Sequence, residues 1–205
     1  MKVGVTGYSG YLGKSLVDKL VSEKIEVIKI GRRSDSDIKV DLNNYVAPKS
    51  FRGIDCLIHC AGIAHNKQFS RKQLKVVNFY ASENLFKDAY NAGIRKIIFI
   101  STVAVYGKTY GIGINESEKL EPKTEYGITK LAAEESLQSL CLNKKDLRAM
   151  VLRLPLIVGR GAPGNLDRLI ISIKKGYHLS LSGNNSLKSV VFKGDVSSTI
   201  INCFL

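Results

Sequence analysis

Short runs of β-branched and apolar residues alternate along this chain with longer stretches in which apolar residues recur every three or four positions. The first run, Val3, Gly4, Val5 and Thr6, has the pattern of a buried strand, and Leu12, Leu16, Leu20 and Val21 then carry a helical period. Further runs predict strands over 26–30, 38–42, 55–62 and 96–100, and a buried one beginning at Ala149. Between them, Leu74, Val77, Ala81, Leu85 and Ala89 share one side of a helix that stops at Asn91, Ala92 and Gly93, a glycine cap. A later helix opens near Pro122 and turns Leu131, Ala132, Leu137 and Leu140 inward. This βαβ alternation predicts an α/β fold, a doubly wound parallel sheet with helices on both faces.

Glycines 7, 10 and 13 fall between the first strand and the first helix, and each has a mechanical task. Gly7 lets the chain reverse, Gly10 lets a diphosphate approach bare backbone, and Gly13 lets the helix pack close to the strand. The unsatisfied N–H groups of the first helical turn point at the anion, so Gly7, Tyr8, Ser9, Gly10, Tyr11, Leu12 and Gly13 form a candidate dinucleotide cradle. The second strand ends at Gly31, Arg32 and Arg33, where an acid commonly takes the adenosine ribose hydroxyls and an arginine can take a 2′-phosphate. No acid stands there. NAD and NADP both stay open, and two arginines in an exposed polar loop are the plainer alternative.

Asp41, with Leu42, is a candidate for the adenine edge, and Cys60, Ala61 and Gly62 end a strand in small residues against which a cofactor can lie. His59, inside that apolar strand, is expected to be a hydrogen-bonded core histidine without chemistry.

A length of 205 residues supports one sizeable core with room for the beginning of a second lobe, divided here as 1–160 for dinucleotide binding and 161–205 for substrate. The net charge of +13 comes from lysines and arginines scattered along the whole chain, so a solvated surface is expected and a nucleic-acid partner is not, although the field favours a diphosphate-bearing substrate. Cysteines 56, 60, 141 and 203 lack CxxC spacing and neighbouring histidines, which predicts reduced thiols and no metal site. No signal sequence or membrane-spanning run is present, so a cytoplasmic protein is expected.

Ser101 and Thr102 follow the strand at 96–100, at the carboxyl edge where open α/β sheets bind ligands. Tyr126 and Lys130, four apart, share a helix face. A phenol with pKa ~10 is a poor base near neutrality unless a positive neighbour stabilises phenolate, and a lysine one turn away does that. Thr102 is placed to hold the substrate oxygen beside the phenol. The spacing alone is weak, since Tyr45 and Lys49 repeat it, but Pro48 breaks any helix through that copy.

The ordered set of glycines 7, 10 and 13, Ser101 and Thr102 before Val105, Tyr106 and Gly107, and Tyr126 with Lys130 resembles the extended short-chain dehydrogenase/reductase family. Within it, the chain is similar to the NAD-dependent epimerase/dehydratase group, near UDP-glucose 4-epimerase and related nucleotide-sugar dehydrogenases. The resemblance implies a Rossmann sheet, with Tyr126 as catalytic acid/base, Lys130 gripping the nicotinamide ribose and lowering the phenol, and Thr102 as the hydroxyl partner. It also implies that Asn78, Ala61, Gly62, Ile100 and Ser101 lie against the cofactor, and that Leu154, Pro155 and Ile157 wall the nicotinamide. Val103, Asn165 and Lys188 match substrate contacts, although the family often has arginine where Lys188 stands, whose forked contact a lysine cannot give.

Two departures refine this. Sugar 4,6-dehydratases of the group carry acids where this chain has Val103 and Ala104, so dehydration is not expected. Relatives also continue well past residue 205, which implies a shortened substrate lobe and a final apolar helix without packing partners. The resemblance therefore implies an NAD(P)-dependent nucleotide-sugar epimerase or dehydrogenase, with homodimerisation through the helices around Tyr126 and Asn78. The alternative is a non-catalytic cofactor-binding sensor on the same fold.

Overall fold

In the computed structural model of the protein, the residues described are 1–48, 51–64, 69–162, 171–177 and 188–204. A six-stranded, wholly parallel sheet forms the centre, in the order β3-β2-β1-β4-β5-β6. Its strands are β1 (Lys2–Thr6), β2 (Glu26–Gly31), β3 (Ile38–Lys39), β4 (Cys56–His59), β5 (Lys96–Thr102) and β6 (Arg148–Leu154). The order reverses at β1, where β4 takes the opposite side from β2. The carboxyl ends of β1 and β4 therefore open a crevice, the usual ligand position in such sheets.

Side-chain alternation divides the core into two layers. Leu57, Ile97 and Phe99 point to one face, where Leu85, Phe86, Ala133 and Leu137 cover them. Val3, Val5, Ile58 and Ile98 point to the other, against Leu12, Leu16 and Leu20 of α1 (Tyr11–Ser22). Both faces of the central strands are buried, which is why their sequences are continuously apolar rather than alternating. Each of these side chains other than Ala133 contributes roughly 1.5–3 kcal/mol on burial.

Several elements differ from expectation. The third strand shrinks to two residues: Val40 N–H still donates to Gly31 O at 3.1 Å, but Asp41 and Leu42 leave the ladder. No helix among the described residues links β2 to β3 or β3 to β4, so the alternation is incomplete in that half. The helix expected from Leu74 to Gly93 is three pieces: α2 (Arg71–Lys75), a π-helical turn over Val76–Tyr80, and α3 (Ala81–Asn91). Ser70 and Gln73 close a capping box at its start, and Gly93 at φ 101° ends it as expected. The extra residue of the π turn lets Val77 with Asn78, and then Ala81 with Ser82, face inward.

On α4 (Glu125–Asn143) the inward face is Gly127, Lys130, Ala133, Glu134 and Leu137, whereas Leu131, Ala132 and Leu140 are half-buried. β6 is likewise half-buried, because it is the last strand on its side of the sheet. After it, β7 (Leu156–Val158) pairs with β8 (Val190–Phe192) in a separate parallel pair. The C-terminal helix (Lys193–Phe204) does find a packing partner: Val196 and Ile200 lie in the same apolar cluster as α1.

Candidate active site

Gly7 adopts φ 67°, and a Cβ there would stand 2.7 Å from Ala61 N, so β1 can end against the 60–62 segment only with glycine. A Cβ on Gly13 would overlap the Gly7 carbonyl oxygen and approach Tyr8 Cα to 3.0 Å, so this glycine packs the helix onto the turn rather than onto the strand. Gly10 is the N-cap of α1, with no side-chain hydrogen bond and no acid in the first turn. That helix end presents bare N–H groups and no competing negative charge, which fits a diphosphate.

The turn floors a cavity of about 450 Å³ whose wall includes Gly7, Tyr8, Ser9 and Gly10 and extends past Arg32 and Arg33 to Asp41 and Leu42. Cys60, Ala61 and Gly62 line it as well. A smaller cavity of about 190 Å³ shares Cys60 and Gly62 with it and is lined by Thr102, Tyr126 and Lys130, with Leu12, Ile100, Ser101, Leu154, Pro155 and Ile157. One trough thus runs from the glycine turn to the phenol and the amine, and it brings most of the sequence-assigned residues together.

Thr102 caps the 3₁₀ turn over Val103–Tyr106, its Oγ1 accepting from Ala104 N–H at 3.2 Å. Thr124 caps α4 by accepting from Gly127 N–H at 3.1 Å, which fixes the turn bearing Tyr126. A Cβ on Gly127 would lie 2.7 Å from Ala104 O, so the first turn of α4 and the 3₁₀ turn meet backbone to backbone. Lys130 is 4% exposed, its Nζ 3.9 Å from the Phe99 ring centroid.

The electrostatics run against the sequence-based expectation. Burial pushes the Lys130 amine down to about 7, with Cys60 and Glu134 opposing that shift, and burial pushes the Tyr126 phenol up. Withdrawing both groups from water disfavours ammonium and phenolate alike. Lys130 is thus half-charged near neutrality and Tyr126 carries its proton.

Asn78 lies 1% exposed in the π turn, and its amide is occupied by the chain itself. Oδ1 accepts from Ile63 N–H at 2.7 Å, while Nδ2 donates to Ile63 O at 2.9 Å and to Thr129 Oγ1 at 3.4 Å. It ties the 61–63 segment to α4 and lines neither cavity. Ser101 donates its hydroxyl to Glu134 Oε1. Tyr11 is absent from both walls: Lys193 sits over its ring at 4.7 Å, and its buried Oη has no hydrogen-bond partner among the described residues. Val103 is 41% exposed and Lys188 is exposed before β8, neither on a cavity wall, and Asn165 falls outside the described residues. His59 is fully buried between Thr6 Oγ1 (2.6 Å) and Ser82 Oγ (2.9 Å), its pKa pushed by burial down to about 3, so it is a neutral core residue as expected.

Sequence reasoning missed a buried polar chain behind the site. Glu134 Oε2 accepts from Arg153 Nη2 at 2.8 Å and Nε at 3.0 Å, and Arg153 Nη1 donates to Tyr106 Oη at 3.1 Å. Two signals pointed to it: Glu134 lies one turn beyond Lys130, and Arg153 interrupts an apolar strand. It missed Asp35 too, which accepts from Tyr8 Oη at 2.6 Å. Among the described residues there is no cluster that could hold a metal, and no helix is long and apolar enough to cross a membrane.

Residues 3–197 match the NAD dependent epimerase/dehydratase family. A UDP-glucose 4-epimerase from Vibrio cholerae is 25% identical over 214 residues, which cover 97% of this chain and 65% of that protein. A dTDP-6-deoxy-L-talose 4-dehydrogenase (NAD(P)(+)) from Kitasatospora kifunensis is 28% identical over 177 residues, 80% of this chain and 55% of that one. This chain therefore spans less than two thirds of the length of either relative. Among solved structures, MoeE5 in complex with UDP-glucose and NAD superposes with a TM-score of 0.85 at 24% identity, over 98% of this chain and 71% of that one. The UDP-N-acetylglucosamine 4-epimerase from Bacillus cereus gives 0.80 at 22%, over 98% and 70%. At these identities the structures establish the fold.

Proposed function

Since the chain belongs to the NAD-dependent epimerase/dehydratase family, we propose that it oxidises or reduces a secondary alcohol of a nucleotide-linked sugar, as an epimerase or as a net dehydrogenase. The observation that carries this reading is the convergence of Thr102, Tyr126 and Lys130 on a cavity that joins the glycine-turn cavity across Cys60 and Gly62. The uncapped start of α1 and the bare backbone at Gly10 suit the diphosphate of a nicotinamide dinucleotide. When bound, that cofactor supplies the hydride acceptor and donor.

The protein's share is proton handling and position. Oxidising a carbinol takes a hydride from carbon and a proton from oxygen, and Tyr126 is the group that receives or returns that proton. Its phenol, raised by burial, begins as an acid, poised to protonate a carbonyl oxygen. Acting in the other direction requires positive charge one turn away, which Lys130 provides by taking up a proton near neutrality. Thr102 holds the reacting oxygen against the phenol, and the apolar wall of Leu154, Pro155 and Ile157 excludes water from the reacting face. Val103 and Ala104 place no carboxyl beside Thr102, so eliminating water lacks its acid. The relatives named for UDP-glucose and dTDP-sugar chemistry support a nucleotide-sugar substrate.

Incubation with UDP-hexoses and their 4-keto derivatives, while following the absorbance of reduced cofactor and the sugar products, tests the reading. Epimer formation without net cofactor change identifies an epimerase, and a stoichiometric change identifies a dehydrogenase. Dinucleotide binding with no turnover of any such sugar would instead favour the non-catalytic sensor. Tyr126→Phe is expected to lower turnover by about 10²–10⁴-fold while dinucleotide affinity stays unchanged; retained activity refutes the proton-transfer role.

A further inference from the structure

We infer that the buried chain of Ser101, Glu134, Arg153 and Tyr106 is the positioning device of the site: it locks the turn that follows Thr102 to the helix that carries Tyr126 and Lys130, and it sets a carboxylate one turn behind the amine. The inference rests on the proton-transfer reading above and adds to it the residues that keep Thr102, Tyr126 and Lys130 in register.

Each member of this chain adjoins a residue of the site. Ser101 precedes Thr102 on β5, and Tyr106 ends the 3₁₀ turn that Thr102 caps. Glu134 lies one turn beyond Lys130 on the buried side of α4, and Arg153 precedes Leu154 of the small cavity's wall. One carboxylate joins these elements. Its Oε1 accepts the Ser101 hydroxyl, and its Oε2 accepts Nη2 and Nε of Arg153 at 2.8 and 3.0 Å. Arg153 then reaches on to Tyr106, with Nη1 3.1 Å from Oη and the guanidinium carbon 5.1 Å from the ring centroid. Glu134, Arg153 and Tyr106 line neither cavity, so they act on the reaction through those neighbours.

The turn is gripped at two points. At Ala104 it meets the backbone of Gly127, and at its far end Tyr106 is tied to Arg153, so Thr102 swings away from Tyr126 only if one grip opens. Packing alone does not call for such a device. Apolar side chains of similar volume hold a layer together at least as well as a buried ion pair, and what the forked pair adds is a defined geometry.

The titratable groups around the amine are His59 of β4, Cys60 just after it, and Tyr126 and Glu134 on α4 itself, while β5 presents the Phe99 ring. His59 is neutral, and the Cys60 thiol, pushed up to about 12 by burial, keeps its proton near neutrality. Burial raises Tyr126 as well, so it too is uncharged there. Among the described residues the carboxylate is therefore the negative group beside the amine, at the spacing of neighbours on one helix face.

The test on the cofactor-free full chain is competitive acetylation by acetic anhydride at a series of pH values, with Lys130 followed by mass spectrometry. The amine of the unmodified protein should react with a midpoint at about pH 7. In Glu134→Gln the midpoint should move to lower pH, because the carboxylate that favours ammonium is gone. The Glu134→Gln, Arg153→Met double variant should move the same way, since Arg153 does not itself act on the amine, and it leaves no stranded charge if the single variant fails to fold. Tyr106→Phe cuts only the far bond. It should leave the midpoint in place and lower kcat about tenfold or more with KM and dinucleotide affinity unchanged, the signature of lost geometry rather than of a lost substrate contact.

A Lys130 midpoint that stays put in both Glu134 variants overturns the inference, and so does a Tyr106→Phe protein whose kcat is unchanged or whose defect is confined to KM. If the unmodified protein turns over no nucleotide-linked sugar, the proton-transfer reading falls, and the acetylation midpoints alone then decide the inference.

Discussion

Replacing Lys130 by methionine should stabilise the protein in a pH-dependent way while abolishing its chemistry. The amine is 4% exposed and its pKa is pushed by burial from 10.5 to about 7. At ~1.4 kcal/mol per unit, that displacement corresponds to roughly 5 kcal/mol of differential stability, a ceiling because partial relaxation lowers it. Below pH 7 the lysine is charged in both the folded and the unfolded chain, and the penalty for burying the charge is present in full. From about 7 to 10.5 the unfolded chain still binds a proton that the folded one has released, so stability rises with pH across that window. Above 10.5 the penalty is gone. Methionine has nearly the same length and no charge, and it keeps contact with Phe99, over which the amine now sits.

Urea unfolding of the two proteins at several pH values reads the effect, since groups common to both cancel in the difference. The methionine variant should be more stable by several kcal/mol at about pH 6, and the gap should close as pH approaches that of free lysine. A difference that is constant with pH, or a variant less stable at pH 6, would refute the placement of a desolvated amine under the phenol. Near neutrality the native protein is expected to sit part-way up the slope, with stability sacrificed for a lysine that can change charge.

Glu134→Gln should destabilise the fold by about 3–5 kcal/mol, because it strands Arg153 in a largely buried position; the double variant with Arg153→Met should lose less than the sum of the two, measured as a double-mutant cycle in urea. Gly13→Ala forces a methyl group into the Gly7 carbonyl, so a loss of about 1–3 kcal/mol in stability is expected together with weaker dinucleotide binding, which thermal melts with and without NAD would detect.

Much of this architecture was legible because periodicity and burial agree. The runs at Val3, Cys56 and Lys96 are apolar on both faces since each strand has helices above and below, and nothing else in the chain competes with that reading. The glycine turn was legible for the same kind of reason: close backbone approaches at residues 7 and 13 admit one residue type. Elements failed where polar and backbone interactions override side-chain pattern. A 3.6-residue period cannot register the single inserted residue of the π turn at Val76–Tyr80, whose position is held by the Asn78 amide gripping Ile63. Likewise Asp41 departs from the third strand to be held by Asn43 rather than by a neighbouring strand.

The inner face of α4 shows most clearly why site and fold have to be read by different rules. By hydrophobicity Leu131 and Ala132 belong inside, and Lys130 and Glu134 outside, yet the structure buries the charged pair and leaves the apolar one half-exposed. A helix satisfies packing by presenting its most apolar stripe, so an inverted stripe must be sustained from elsewhere. Here Leu85, Phe86, Phe99 and Leu137 provide the apolar mass around it, while Ser101, Arg153 and Tyr106 saturate the carboxylate. Lys130 is buried against an aromatic face, and that burial loosens its hold on the proton, with Cys60 and Glu134 only partly opposing the effect. A tightly paired lysine would remain an ammonium at every accessible pH and could not follow the charge on Tyr126. The buried amine is thus the part of the site that ties proton movement at the phenol to the stability of the helix beneath it.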